Sequence, residues 1–220
     1  MKLIKINKNH FENMLEIHDK GGGNLVNESL LKLFNCMNDE SSTFEVSIKV
    51  AALNQLYSTA IQYITPVVEN IVLKITQNHK FFTDEDYAIL VDSISIVTWV
   101  SPITDKSHSR NNLSFASKYV HFLSGYKIPI YDSYIWIVMN GYLMQEKGNI
   151  YSFTPPENYK HFYQVFTKFK IHFNLQEKSN YEIDKFLWCY GKNMLNEIIK
   201  EDGVSLDKAK SVLKKRIASV

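Results

Sequence analysis

Apolar residues recur every three or four positions along most of this chain, a spacing that predicts helices. The steadiest run places apolar side chains at Val46, Val50, Leu53, Tyr57, Ala60 and Ile64. It predicts a core helix that ends or kinks before Pro66, because proline removes a backbone hydrogen-bond donor. A further apolar helix is predicted over Val67–Ile75.

Other helices are predicted from the same period and from capping signals. Thr83, with Asp86 three residues later, forms a capping-box variant ahead of an apolar helix over Tyr87–Trp99. Further helices are predicted over residues 113–123, from Asp132 onward, and over 159–173, 181–200 and 205–217. Loops are predicted at Gly21–Gly23, at 101–112 and at 144–156. No segment alternates convincingly as a strand would, so the predicted fold class is all-α.

The chain has 220 residues, enough for one large domain or two small lobes. We predict one compact domain over residues 1–220, with possible lobes formed by residues 1–45 plus 140–220 and by residues 46–139. With 45% hydrophobic and 13% aromatic residues, the chain can bury a substantial core.

Charge and cysteine content narrow the choice of partner and compartment. The net charge is only +2, so any affinity for nucleic acid must come from a local patch. Cys36 and Cys189 are isolated and have no metal-binding spacing, which favours a reduced, cytoplasmic setting. The N-terminus lacks an apolar run long enough for a signal peptide or a membrane span.

Residues 113–136 carry the most distinctive pattern. The polar residues of the first predicted helix follow an i, i+3, i+4, i+7 spacing, so they form one polar stripe on an otherwise apolar helix. The stripe consists of Ser114, Ser117, Lys118 and His121. After a short connection, Asp132 stands where an N-cap would open the next apolar helix.

This pattern resembles the helix-hairpin-helix DNA glycosylases, and most closely their oxoguanine branch. In that superfamily a helix entered through a Gly-Val-Gly turn is followed by Pro-Val-Asp, and the Asp opens the next helix and is catalytic. Here Pro129-Ile130-Tyr131-Asp132 has one residue more, and Ser109-Arg110-Asn111-Asn112 stands where the hairpin glycines would be. The resemblance covers about a third of the chain and implies a two-lobed helical bundle.

The resemblance implies that Asp132 is the catalytic carboxylate, stabilising the positive charge that develops on the sugar as the base leaves. Family members that also nick DNA carry a Schiff-base lysine. Aligned on Ala116, its position is Ser114, whereas Lys118 lies one turn further along. The resemblance therefore implies a monofunctional enzyme, with Lys118 and His121 near the DNA backbone or the base pocket.

The remaining site residues are also implied by the resemblance. A base pocket would be lined by Asn54, Gln55 and Tyr57 on an early helix and by Asp184 and Trp188 on a late one. Contacts to the DNA backbone would come from Arg110, Asn112, Ser133 and Tyr134. Each group has a structural alternative: Asp132 as a plain helix cap, the stripe as a solvated face, Asn54 and Gln55 as the polar face of a helix, and Trp188 as core.

We therefore expect a monomeric DNA glycosylase that hydrolyses the N-glycosidic bond of a damaged or modified base flipped out of double-stranded DNA. No metal, cofactor or membrane is implied. Repair is one setting, and defence against viral DNA with modified bases is another. The alternatives are a catalytically inactive helical nucleic-acid-binding module on the same scaffold, or an unrelated helical interaction protein.

Overall fold

Helices dominate the computed structural model, which describes residues 1–77, 83–101, 103–147 and 151–220 and all their side chains except that of Lys147. In chain order the helices are α1 (Lys8–Lys20), α2 (Gly23–Cys36), α3 (Thr43–Tyr57), α4 (Ile64–Gln77), α5 (Asp84–Ser95), α6 (Leu113–Leu123), α7 (Ser133–Lys147), α8 (Tyr159–His172), α9 (Asn180–Asp202) and α10 (Leu206–Ala218). Strands β1 (Ile96–Val100) and β2 (Ser107–Asn111) lie between α5 and α6. The helical character predicted from the sequence is confirmed. The predicted loop at 144–156 lies partly outside the described residues.

Two helices begin at complete capping boxes. The Thr83 hydroxyl accepts from the Asp86 amide while the Asp86 side chain accepts from the Thr83 amide, as the sequence predicts for α5. Ser179 and Glu182 make the same reciprocal pair at the start of α9. In each case, side-chain oxygens satisfy amides that the first helical turn leaves without partners.

The chain divides into two units, and neither is continuous in sequence. The first unit comprises Met1–Gly23, Asp132–Pro156 and Gln164–Val220, and the second comprises Asn24–Tyr131 and Glu157–Tyr163. The lobes predicted from the sequence have other boundaries: residues 24–45 and 157–163 fall in the second unit, and residues 132–139 fall in the first.

In the first unit, α9 is the central element, contacting α1, α7 and α10. Its inward face includes Ile183, Phe186, Leu187, Leu195 and Ile198, each at most 2% exposed. Phe11 of α1 stacks on Phe186 with ring centroids 4.8 Å apart. The apolar stripe of one long helix thus organises this unit.

In the second unit, α3, α4, α5 and α6 pack against one another in a chain of contacts, and β1 contacts α4 and α5. Val46, Val50 and Leu53 of α3 are fully buried, as their spacing predicts. An ionic group also lies inside: the Lys49 ammonium is buried and pairs with Glu40, whose carboxylate accepts from the Tyr119 hydroxyl at 2.6 Å. A buried ammonium requires such a partner because burial removes its hydration.

The predicted helix through Ile64 is too long. α3 ends at Tyr57, and Ser58 and Ala60 adopt positive φ angles of 49° and 57°. The Asn54 side chain explains the ending, because its Oδ1 accepts from the Ile61 amide at 2.9 Å and from the Thr59 hydroxyl at 2.8 Å. A local side-chain bond to the backbone here replaces the next helical turn.

The predicted helix over Tyr87–Trp99 is also too long, and the prediction of no strands is wrong. α5 ends at Ser95, and β1 pairs antiparallel with β2, with Trp99 opposite His108 and Val97 opposite Arg110. β1 is rich in β-branched and aromatic residues, which suit strands. β2 is exposed throughout, so its sequence lacks the alternation that a half-buried strand shows.

None of the helices in the described parts of the chain is both long enough and apolar enough to cross a membrane.

Candidate functional site

Asp132 lies immediately before α7 and caps it. Its Oδ1 accepts from the Tyr134 amide at 2.8 Å, and its carbonyl oxygen accepts from the Trp136 amide at 2.9 Å. The predicted N-cap is therefore observed. The residue is half-buried, and its carboxylate lies at the N-terminal end of α7.

The first unit, which contains Asp132, also carries a cluster of aromatic rings and ammonium groups. The Tyr134 and Trp188 rings stack with centroids 6.4 Å apart, and His18 meets the edge of Trp188 at 6.1 Å. The Lys192 ammonium lies 4.6 Å from the Trp188 centroid, and that of Lys210 lies 5.5 Å from the Tyr134 centroid. We call these five residues the ring cluster. It combines flat surfaces for stacking with positive charge.

Gly191 sets the position of Tyr134, a role that the sequence analysis missed. A Cβ added at Gly191 would lie 3.1 Å from Tyr134 Cβ and 3.0 Å from Val138 Cγ2. A side chain at Gly191 would therefore force α7 and α9 to shift by a few tenths of an ångström. Burial, together with the nearby charges of Asp132 and Asp207, raises the pKa of the Tyr134 phenol. A small residue in a helix interior, one turn from an aromatic, was the available signal.

Asp184 and Trp188 occupy different environments although they share a helix. Asp184 is 4% exposed, whereas Trp188 is half-buried within the ring cluster. Of the two residues on α9 predicted to read the base, only Trp188 exposes a substantial part of its side chain to solvent.

The polar stripe of α6 is mostly buried, so its interpretation as a solvated face is wrong. Ser117 and His121 are fully buried, and Lys118 is 4% exposed. The side chains of Ser117 and His121 bond to backbone groups in the connection between α6 and α7. His121 Nδ1 donates to the Ile128 carbonyl at 2.6 Å, and Ser117 Oγ accepts from the Tyr131 amide at 3.0 Å. The Tyr159 hydroxyl donates to the Pro129 carbonyl. The segment that leads into Asp132 is therefore fixed at three points.

Lys118, Ser114 and Tyr57 lie together in the second unit. The Lys118 ammonium donates to Ser114 Oγ at 2.6 Å and lies 5.8 Å from the Tyr57 ring centroid. The Tyr57 hydroxyl donates to the Asn27 side chain at 2.5 Å. Three residues predicted at separate places in the site thus meet in one cluster. A direct contact between Lys118 and a DNA phosphate would require the ammonium to leave this position.

Burial lowers the pKa of His121 to about 4, and the nearby charge of Lys118 acts in the same direction. The imidazole is therefore neutral at pH 7. Because a carbonyl can only accept, the proton resides on Nδ1, facing Ile128. This arrangement identifies His121 as a structural donor to the connection.

The other predicted residues are dispersed over the second unit and the start of α7. The Asn54 side chain is engaged with residues 59 and 61, so the structure does not place it in a pocket, and Gln55 is exposed. Arg110 is exposed and donates to the Ala60 carbonyl at 3.0 Å. Asn112 is buried, and Ser133, the first residue of α7, is half-buried.

No group of three or more histidine, cysteine or acidic side chains suited to a metal ion occurs among the described residues.

Comparisons with known proteins link the chain to a family. A family model described as the HI_0787 N-terminal domain matches residues 9–127. A protein of Haemophilus influenzae (strain ATCC 51907 / DSM 11121 / KW20 / Rd), described as "Uncharacterized protein", is 26% identical over 188 residues, covering 85% of this chain and 86% of that protein. No solved structure matches the chain. The family match includes the polar stripe of α6 and ends before Asp132.

Proposed function

The chain belongs to the HI_0787 N-terminal domain family, and we propose that it is a DNA glycosylase of the helix-hairpin-helix type. The proposed reaction is hydrolysis of the N-glycosidic bond of a damaged or modified base that has been flipped out of double-stranded DNA. Viral DNA with modified bases is one proposed source of the substrate. The proposal assigns the chemistry to the first unit, which contains Asp132 and the ring cluster.

The observation that carries the proposal is the placement of Asp132. Its carboxylate is held by the Tyr134 amide at the start of α7, and its carbonyl oxygen accepts from the Trp136 amide of the same helix. When a base leaves, positive charge grows on the sugar ring, and a fixed carboxylate stabilises that charge without having to reorganise. Asp132 would fill this role and orient the attacking water.

The ring cluster supports recognition of the flipped nucleotide. A base outside the helix needs a flat surface to replace its lost stacking, which aromatic side chains provide. Trp188 and Tyr134 offer such surfaces, and Lys192 and Lys210 bring positive charge for the flanking phosphates. These residues lie on the same unit as Asp132.

The contact between Lys118 and Ser114 supports a monofunctional reaction. A Schiff base requires an unprotonated amine with a free path to the sugar C1′. The Lys118 nitrogen is instead buried and bonded to Ser114, and a serine hydroxyl cannot form an iminium. Water is therefore the proposed nucleophile, and the product is an intact abasic site.

The experiment is incubation of the purified protein with duplexes that each carry one damaged or modified base, followed by alkali. We expect strand cleavage of at least one duplex only after alkali, and no covalent adduct on borohydride treatment. Cleavage without alkali, with an adduct that is lost in Lys118→Ala, would show that the protein is also a lyase.

Asp132→Asn should lower base release by about a hundredfold or more, because asparagine keeps the helix cap but removes the charge. Glu177→Gln is the matched control: it removes an exposed carboxylate of the same unit, away from the ring cluster, and should release base at the wild-type rate. Equal rates in both variants would reduce Asp132 to a helix cap.

The ring cluster also favours a second candidate, a nucleic-acid-binding module without catalysis. Such a protein would bind duplex DNA through Lys192 and Lys210 yet release no base from any duplex of the panel. A protein that neither binds nor cleaves DNA would be a helical interaction protein of another kind.

A further inference from the structure

The β-hairpin of the second unit forms one wall of a cavity of about 400 Å³ that the proposed excision chemistry does not use. Because residues opposite each other on antiparallel strands share a face, Val97, Trp99, His108 and Arg110 all lie on the cavity side. Val97 is buried and forms part of the floor with Val67. Thr98, and the pair formed by Val100 and Ser107, alternate with these positions and do not line the cavity.

Three rings stand in a row at this cavity. The Trp99 and His108 rings stack with centroids 5.4 Å apart and planes 18° apart. Tyr63, which precedes α4, lies 5.8 Å from Trp99 and is 59% exposed. Exposed tyrosine in contact with stacked aromatics is not needed to fill a core, and it leaves a flat surface open to a planar ligand.

The charge at the cavity is positive. Arg110 lines the cavity. One of its guanidinium nitrogens donates to the Ala60 carbonyl, which fixes the guanidinium beside the rings. Among the described residues that line the cavity, none is acidic. A fixed guanidinium suits phosphate, which it can bind through two parallel hydrogen bonds.

We propose that this cavity binds a nucleotide, with the base stacked on Tyr63 beside Trp99 and His108 and the phosphate on Arg110. The rings supply the sequence-tolerant part of the affinity, and the guanidinium supplies the charge-dependent part. The nucleotide is either an unpaired residue of a DNA strand or a free mononucleotide. Nucleotide binding at this cavity does not involve base excision, so the test of this proposal is independent of the role proposed for Asp132.

The test measures binding of fluorescein-labelled oligothymidylate by anisotropy, with adenosine monophosphate as competitor. Tyr63→Ala and Arg110→Gln should each weaken binding about tenfold. The first change removes the ring on which the base stacks, and the second removes the guanidinium that binds the phosphate. Both side chains are exposed, so neither change opens a cavity in the core. Thr98→Ala and Ser107→Ala, at exposed hairpin positions that do not line the cavity, should bind as the wild type does.

The competitor separates the two sources. Displacement by the mononucleotide at concentrations similar to the oligonucleotide's own Kd identifies a free-nucleotide site, whereas displacement only by other oligonucleotides identifies a strand site. Absence of binding by the wild type, or equal affinities in Tyr63→Ala, Arg110→Gln and the two controls, would overturn the proposal. Base release by the same variants reports separately on the excision proposed above.

Discussion

At the scale of single residues, the polar side chains of α6 show how buried polarity can serve the backbone. Ser117 and His121 occupy core positions on an apolar helix, and each satisfies a backbone group of the connection before Asp132. A buried polar group costs free energy unless it is hydrogen-bonded. These residues therefore help to specify one path for the chain into the candidate catalytic carboxylate.

His121 should make stability depend on pH. Its pKa is about 4 in the folded protein, below its ordinary value of 6.5, so the unfolded chain binds the proton first. The free energy of unfolding therefore falls as the pH drops from 6.5 towards 4. Between pH 7.5 and 5 the loss should be about 2 kcal/mol.

Urea unfolding of the wild type and of His121→Gln at both pH values measures this loss. Glutamine keeps a donor for Ile128 but does not titrate, so the variant should lose less stability over the same range. Burial also lowers the pKa values of His10 and His18, and their contribution is common to both proteins. Identical losses in the two proteins would show that His121 is not the titrating group.

At the scale of elements, a single side chain ends α3. Asn54 bonds to the Ile61 amide and carbonyl and to the Thr59 hydroxyl, while its neighbour Gln55 is exposed. Asn54→Ala should lower the free energy of unfolding by about 2 kcal/mol, because it leaves these partners unsatisfied. Gln55→Ala should change it by less than about 0.5 kcal/mol.

The same pair of variants tests the base-pocket role predicted for both residues. If Asn54 acts only on the fold, Asn54→Ala keeps the wild-type affinity for duplex DNA at a temperature where both proteins are folded. A loss of affinity in Gln55→Ala, without a loss of stability, would restore the predicted pocket on α3.

At the scale of the whole molecule, charge limits how DNA can be held. With a net charge of only +2, the proposed DNA binding needs a local positive patch, and in this proposal Lys192 and Lys210 of the ring cluster supply it. The combined change Lys192→Gln and Lys210→Gln should reduce the slope of log affinity against log salt by about 2.

The matched control is Lys208→Gln with Lys215→Gln, which removes the same charge from exposed positions of α10. This control should leave the slope close to that of the wild type. If the two double variants behaved alike, affinity would depend on total charge and not on the ring cluster.

The sequence by itself determined that the chain is mostly helical, because a 3.6-residue apolar period and capping residues are local properties of the chain. It also located Asp132 at a helix start, since an N-cap needs only the residues that follow it. Tertiary structure decided the rest. β2 is polar throughout and becomes a strand only by pairing with β1. Asn54 ends α3 by bonding to Ile61, a residue that the apolar period had placed inside the helix. Whether Ser117 and His121 face solvent or a backbone, and whether Tyr134 meets Trp188, depends on which segments pack together. Tyr134 and Trp188 lie on helices far apart in sequence, and the bonds of Ser117 and His121 depend on how the connection after α6 folds back onto it, so the apolar period specifies neither.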